Sequence, residues 1–268
     1  MLHKLFNKES IVADHASRLF RSAPYVVFGC MVLACSIIPT LSTDLPLAPA
    51  ADAIALVGLF ALARVFISLA AMDVGTAFGT MGARREMLVG FLAEPALLMV
   101  LFSASLISNS TSLPTIVETL AHRELVIYPG LAFAGVAFVM VSLAENARIP
   151  VDNPATHLEL TMIHEAMVLE YSGRHLALIE WAASLKLFAY SCIGLAIFFP
   201  WGVAQANDHV ALLVALPVLV AKLAVGGFLL ALIETILAKM RIFRVPEFLA
   251  TAFLLGVLAL LVHLLLGA

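Results

Sequence analysis

Residues 126–144 read VIYPGLAFAGVAFVMVSLA, 19 consecutive positions without Asp, Glu, Lys or Arg. An uncharged stretch of this length can cross the hydrocarbon core of a membrane as an α-helix. The rest of the 268-residue chain is similar, with 63% hydrophobic residues, 12% charged residues and a mean hydropathy of +1.06. A soluble domain is about half apolar and about a quarter charged. The composition therefore excludes a soluble domain and predicts an all-α, polytopic transmembrane helix bundle forming a single membrane domain, 1–268.

The hydropathy pattern predicts seven membrane-spanning helices, each about twenty residues long except the first, which is shorter. Clusters of Pro, Gly and Asn separate them, as expected for connecting loops. The predicted spans are residues 24–41, 50–72, 87–108, 126–144, 179–200, 211–238 and 247–267.

Basic residues lie almost entirely on one side of this arrangement. Eleven Lys and Arg residues fall within residues 1–23 and the connections 73–86, 145–178 and 239–246, whereas the opposite connections carry only Arg123. Cytoplasmic connections of membrane proteins carry such an excess. The pattern predicts a multi-pass protein of the inner (cytoplasmic) membrane, with its N-terminus in the cytoplasm and its C-terminus on the opposite side.

The longest connection contains one more predicted helix. Asn153 followed by Pro154 is a favourable N-cap and first-turn pair, and residues 157–172 contain no helix breaker. We expect a cytoplasmic-side helix near 157–172 within the cytoplasmic loop 145–178. Residues 1–23 are expected to form a cytoplasmic amphipathic lead-in.

The charge balance and the cysteines restrict the partners and cofactors. The net charge of −3 provides no basic surface for nucleic acid. Cys30, Cys35 and Cys192 all lie in apolar stretches and form no Cys-x-x-Cys pair, so neither a disulfide framework nor a metal or iron–sulfur site is expected. Any redox centre that this protein serves is expected in a partner subunit.

Ionisable residues inside the predicted spans are candidates for function, because each costs about 2.5–3.5 kcal/mol to insert. In the functional interpretation they form a buried chain that moves protons. In the structural one they pair with one another, or their charged ends extend to the membrane–water interface. For Lys222 in mid-helix and for Glu94 we favour the functional interpretation. The embedded residues are Arg64, Glu94, Lys186, Lys222 and Glu234.

Two smaller patterns have structural interpretations. Glu145 and Arg148 are three positions apart, so a local salt bridge at a helix end competes with a functional role. His157 and His164 have no third ligand at a matching spacing, which favours capping or hydrogen bonding over metal binding.

Three stretches carry a family resemblance. Residues 82–86 read GARRE and precede the helix with Glu94, residues 144–154 read AENARIPVDNP, and residues 170–174 read EYSGR. They resemble the membrane subunit of group 4 NiFe hydrogenases, of the formate hydrogenlyase subunit 4 and hydrogenase-4 component C type. That family is homologous to subunit 1 of respiratory complex I, the NADH-quinone oxidoreductase.

The resemblance implies a function within a larger assembly. The chain would be the membrane-anchoring and ion-coupling subunit of a membrane-bound NiFe hydrogenase or formate hydrogenlyase-like complex, linking peripheral redox chemistry to proton or sodium movement. Its partners would be hydrogenase large and small subunits, iron–sulfur subunits and antiporter-like membrane subunits. The NiFe site and the iron–sulfur clusters would lie in those partners. The alternative is subunit 1 of a proton-pumping NADH-quinone or related oxidoreductase.

The resemblance also implies roles for individual residues, and it implies no catalytic residue in this chain. The expected docking and cavity residues are Arg84, Arg85, Arg148 and Arg174. With Lys222 added for its mid-helix charge, the expected proton-path and coupling residues are Glu94, Glu145, Asp152, Glu159, Glu170 and Lys222.

The chain departs from the complex I pattern in two places. Residues 155–157 read ATH where that branch has an acidic run, which weakens the quinone interpretation. The family's first transmembrane helix and its basic Gly-Pro loop have no counterpart in the sequence pattern, so that seven spans are expected in place of eight. An independent transporter is disfavoured because the chain has no internal repeat.

Overall fold

The computed structural model describes residues 2–11, 16–44, 47–122, 129–152, 163–204 and 209–266. The predicted Asn153–Pro154 cap, together with Arg123, His157 and Glu159, lies outside the described residues. Within them, short 3-10 turns occupy Ala48–Ala50 and Ile242–Arg244. The α-helices are α1 (Leu2–Phe6), α2 (Arg18–Ile37), α3 (Ala53–Asp73), α4 (Ala77–Ser108), α5 (Leu113–His122), α6 (Pro129–Glu145), α7 (His164–Val168), α8 (Gly173–Phe198), α9 (His209–Ile236) and α10 (Val245–Leu266).

The architecture confirms the predicted all-α transmembrane bundle. In the described part of the chain, six helices are long and apolar enough to cross a membrane, namely α2, α3, α4, α8, α9 and α10. The apolar helix α6 has 17 residues, about 25 Å, and packs against α4 and α10. It corresponds to the predicted span 126–144.

Hydrogen bonds between the ends of neighbouring helices identify the two sides of the bundle. The Ser17 backbone N–H at the start of α2 donates to Asp73 at the end of α3, at 2.9 Å. On the other side, Asp52 caps the start of α3 through the Ile54 N–H at 2.7 Å and accepts the Thr111 hydroxyl at 2.5 Å. We call the first side the α7 side: α2, α4 and α8 begin there, and α3 and α6 end there.

Helix α4 begins ten residues before the predicted span 87–108. Thr76 caps it by accepting a hydrogen bond from the Gly79 N–H at 3.3 Å, and Gly75 makes the preceding turn with φ +74°. The stretch 82–86 is therefore helical, and the expected connection 73–86 shortens to a turn. The sequence misplaced this boundary because three charged residues interrupt the apolar run.

The predicted helix 157–172 is shorter at its C-terminal end. In its described part, helix α7 ends at Val168, and the chain then turns towards α2. The Tyr171 ring stacks on Phe20 at 4.1 Å between centroids, and its hydroxyl donates to the Phe20 carbonyl at 3.0 Å. Burial raises the pKa of the Tyr171 phenol, so it remains a donor. These contacts end the helix where periodicity alone extends it to residue 172.

Candidate functional site

Arg64 lies near the middle of α3 and points into the bundle, with only 5% of its side chain exposed. Its Nε donates to Glu86 at 3.2 Å, its Nη1 donates to Glu94 at 2.7 Å, and its Nη2 bonds to Glu145. A guanidinium carries five N–H donors in a fixed plane, which lets it serve several carboxylates together. One arginine therefore joins α3 to α4 and α6.

Gly90 makes the room that this arginine needs. A Cβ at position 90 would lie 2.3 Å from Nη1 and 2.6 Å from Cδ of Arg64. Any larger residue on this face of α4 would displace the guanidinium.

Glu145 is the most deeply buried of the three carboxylates, with 1% of its side chain exposed. Besides Arg64, it pairs with Nζ of Lys186 on α8 at 2.9 Å and hydrogen-bonds to the buried Tyr190. Glu145 is the last residue of α6, so the negative end of the helix dipole faces both cations. We call Arg64, Glu86, Glu94, Glu145 and Lys186 the Arg64 cluster.

The charges of the Arg64 cluster do not balance. Its three carboxylates and two cations leave one negative charge in excess when all are ionised. An uncompensated charge is costly in a weakly solvated interior, and one bound proton makes the set neutral. The cluster is therefore suited to taking up and releasing a single proton.

A cavity of about 80 Å³ borders the cluster. Apolar side chains of α2, α3 and α8 form one wall, and Arg64, Glu86, Glu145, Asn146, His164 and Lys186 provide its polar lining. With these polar groups on one side, a cavity of this size has room for several water molecules. It extends from the cluster towards the α7 side, where residues 146, 147 and 164 lie.

Asp152 forms a second junction on the α7 side and is only 3% exposed. One carboxylate oxygen accepts from the backbone N–H groups of Ile163 and His164, at 3.1 and 3.4 Å. The other oxygen pairs with Lys239 at 3.1 Å, beyond the end of α9. Asp152 thus fixes α7 against the connection between α9 and α10.

Of the two interpretations left open for Glu145 and Arg148, the local salt bridge between them does not form. Arg148 pairs with Glu234 on α9 at 3.4 Å, while Glu145 turns inward to Arg64. Ala147 between them has φ +50°, which directs the two side chains apart.

Lys222 does not join the Arg64 cluster. Its Nζ donates to the carbonyl of Phe199 at 2.7 Å and to that of Trp201, and lies 4.1 Å from the centre of the Trp201 ring. Phe199 follows Lys186 by 13 residues along α8, about 20 Å. The structure thus places Lys222 at the end of α8 away from the α7 side.

The remaining predicted residues lie on the surface of the α7 side. Arg84, Arg174 and Glu170 are exposed, and Arg85 is half-buried. Arg84 and Arg85 border a groove of about 510 Å³ along α4. Arg84, Arg174 and Glu170 therefore lie apart from the Arg64 cluster, which contains Glu94 and Glu145.

Three members of the Arg64 cluster were missing from the predicted site. Arg64 and Lys186 were recognised only as embedded charges, and Glu86 was assigned to a loop. A signal was present, because the five embedded charges, which are of both signs, must find partners in hydrocarbon. Among the described residues, no three His, Cys, Asp or Glu side chains are grouped to hold a metal ion.

The fold and site together define a multi-pass membrane protein with an ion-pair cluster inside its helix bundle. The NADH dehydrogenase family matches residues 2–265, and the chain belongs to that family.

Two curated relatives come from Escherichia coli (strain K12). Formate hydrogenlyase subunit 4 is 32% identical over 244 residues, covering 91% of this chain and 78% of that protein. Hydrogenase-4 component C is 32% identical over 261 residues, covering 96% and 81%.

A solved structure shows the same fold. It is the membrane-bound sulfane sulfur reductase, an archaeal respiratory membrane complex, with a TM-score of 0.80 and 19% identity. The match covers 97% of this chain and 84% of the other.

Proposed function

We propose that this chain is the membrane-anchoring and ion-coupling subunit of a membrane-bound NiFe hydrogenase or formate hydrogenlyase-like complex. The observation that carries the proposal is the Arg64 cluster, in which Arg64 and Glu145 are buried. With all five groups ionised it carries one excess negative charge, and it borders a cavity sized for water. The two curated relatives, named for formate hydrogenlyase and hydrogenase-4, support this type of assembly.

In this proposal the chain performs no redox step itself. Its partners are the hydrogenase large and small subunits, iron–sulfur subunits and antiporter-like membrane subunits, and the NiFe site and iron–sulfur clusters lie in them. The α7 side, which carries most of the basic connections, faces the cytoplasm of the inner membrane and receives the peripheral arm. Redox chemistry in the arm alters the proton occupancy of the Arg64 cluster and so drives ion movement.

A quinone oxidoreductase subunit is the second candidate. The observations that favour it are the match to the NADH dehydrogenase family and the largely apolar wall of the cavity. The two candidates differ in what the purified complex reduces: a hydrogenase-type complex exchanges electrons with hydrogen, and the alternative requires an added quinone.

The test uses Glu94→Gln and Glu145→Gln in the whole complex. Either change leaves two carboxylates and two cations, a neutral set, so we expect the complex to assemble. Ion translocation should fall about tenfold or more in at least one variant, because a titrating group is lost. Hydrogen chemistry with artificial electron carriers should persist, since the metal site lies in a partner.

Glu180→Gln is the matched control, because this half-exposed carboxylate lies on α8 outside the cluster. Its translocation should equal that of the wild type. Wild-type translocation in both cluster variants would show that these carboxylates are structural and would refute the coupling role.

A further inference from the structure

His164 is the only histidine that lines the cavity beside the Arg64 cluster in the described part of the chain. It is half-buried at the first position of α7, where the cavity approaches the α7 side. Its ring has two nitrogens that point in different directions, so it can accept a proton at one and release a proton from the other. The surrounding charged groups are Glu86, Glu145, Arg64 and Lys186 in the cavity wall, with Asp152 bonded to the His164 backbone and Glu165 next in the chain.

Two independent contacts fix this histidine against the cavity. Asp152 accepts the His164 backbone N–H and so fixes the start of α7. On the opposite face, α7 approaches α4 closely at Gly82, where a Cβ would lie 2.9 Å from the Ile163 carbonyl oxygen and from Cβ of Ala166. The absence of a side chain at position 82 lets the start of α7, where His164 lies, approach α4 closely.

An unsatisfied oxygen supports water in this space. The side-chain oxygen of Asn146 is buried and accepts no hydrogen bond from the described residues, while its nitrogen donates to the Ser142 carbonyl at 2.8 Å. Asn146 lines the same cavity as His164 and Glu86. Buried polar atoms without protein partners are ordinarily satisfied by internal water, and this cavity is large enough for it.

From this geometry we infer that His164 exchanges protons between the α7 side and the Arg64 cluster, with Glu86 as the first acceptor. Glu86 is the carboxylate that lines the cavity and is bound most loosely to Arg64, at 3.2 Å. An O–H bond of a hydronium ion on the α7 side breaks, leaving water, and an N–H bond forms at one imidazole nitrogen. The N–H bond at the other nitrogen then breaks and returns the ring to its neutral form. The released proton passes through cavity water to form an O–H bond on Glu86.

This inference rests on the proposed coupling function and adds the route by which a proton reaches the Arg64 cluster. The first test compares His164→Gln and His164→Ala in the intact complex. Both should lose about tenfold or more of the ion translocation, a typical effect of removing a proton-transfer group. Assembly and hydrogen chemistry with artificial electron carriers should be retained. His263→Gln is the control, since this histidine lies near the C-terminal end of α10 and does not line the cavity.

Chemical rescue separates proton exchange from a structural role. Added imidazole should restore translocation several-fold in His164→Ala, which leaves space for it, and should not do so in His164→Phe. Wild-type translocation in His164→Gln, or the lack of rescue in an assembled His164→Ala complex, would overturn the inference.

A measurement independent of ion translocation distinguishes this inference from the proposed function. Infrared spectroscopy after transfer to D₂O follows the carboxyl band that Glu86→Gln removes, and its exchange should be slower in His164→Phe. Unchanged exchange would refute the role of His164 even where Glu94→Gln lowers translocation. Slowed exchange together with wild-type translocation in Glu94→Gln and Glu145→Gln would refute only the coupling function.

Discussion

At the scale of single residues, the site depends on an arginine that occupies space usually filled by a facing side chain. Arg64 enters the bundle because Gly90 leaves α4 without a Cβ at that point. Removing the cation would leave three carboxylates facing one lysine. Breaking a buried ion pair on one side typically costs about 3–5 kcal/mol. The site therefore requires a positive charge at position 64 and, to make room for it, a residue without a side chain at position 90.

We predict that Gly90→Ala destabilises the protein and lowers ion translocation, because its methyl group would lie 2.3 Å from the Arg64 guanidinium. Thermal unfolding of the purified complex should show a lower Tm. Gly58→Ala on α3 is the matched control: nothing lies within 4 Å of its Cβ position, so it should be neutral or stabilising by up to ~1 kcal/mol. Equal Tm values for the two variants would contradict the proposed packing role of Gly90.

The sequence predicted the embedded charges but not their partners. Arg64, Lys186 and Glu94 were recognised because charge is rare in an apolar span. Their pairing depends on which helices are neighbours and on how each helix is rotated about its axis. Neither can be predicted from hydropathy. The spacing of Glu145 and Arg148 left a local pair open, because the left-handed residue between them was not visible in the sequence.

At the scale of elements, the end of α6 sets the position of the most buried carboxylate. The Arg148 N–H donates to the Leu143 carbonyl at 2.8 Å, and the Ala147 N–H donates to that of Ala144 at 3.2 Å. This is a Schellman ending with Ala147 at φ +50°, where glycine is usually found. An L-residue in this conformation costs about 1–2 kcal/mol.

Substitutions at position 147 should therefore act in opposite directions. Ala147→Gly should raise Tm by relieving about 1 kcal/mol of backbone strain. Ala147→Val should lower it and reduce translocation, because a β-branched residue disfavours the left-handed region and displaces Glu145 from Arg64. Unfolding curves and translocation assays on the two complexes check this. A Val variant that matches the wild type in both assays would exclude a role for this helix end.

Sequence patterns identified most elements and misplaced specific boundaries. All seven predicted spans correspond to helices. Helix α4 begins earlier than predicted, because the charged residues 84–86 lie within it. Conversely, α7 ends early because Tyr171 is anchored to Phe20, a long-range contact. Helix α5 was missed within a segment interpreted as a loop. The existence of a spanning helix can be predicted from the length of its apolar stretch. Its boundaries are harder to predict, because caps and tertiary contacts set them.

At the scale of the whole molecule, the α7 side combines exposed arginines, α7 itself and the junction at Asp152. Arg84 at the groove on α4 and Arg174 at the start of α8 are both exposed there. Lys222, in contrast, lies at the opposite end of α8. The asymmetry supports the proposed docking of a peripheral arm on the α7 side.

We predict that Arg84→Ala combined with Arg174→Ala weakens retention of the peripheral arm on membranes washed with salt, because two exposed charges that attract the arm are removed. The membrane subunit itself should remain folded, since neither residue is buried. Immunoblotting of washed membranes measures the retained arm. Crosslinks that place the arm beside Trp201, on the opposite side, would reject this arrangement.

The depth of the Arg64 cluster gives it an electrical property. Arg64 is the twelfth of the 21 residues of α3. For a membrane potential that falls evenly along this helix, a proton that reaches Arg64 has crossed about half of it. A full crossing corresponds to about 2.3 kcal/mol per 100 mV, and half of it to ~1.1 kcal/mol. With the α7 side in the cytoplasm, the membrane potential opposes proton entry from this side. It lowers the proton occupancy of the cluster about sevenfold per 100 mV. The cluster would thus sense the energisation of the membrane and slow its own loading as the voltage rises.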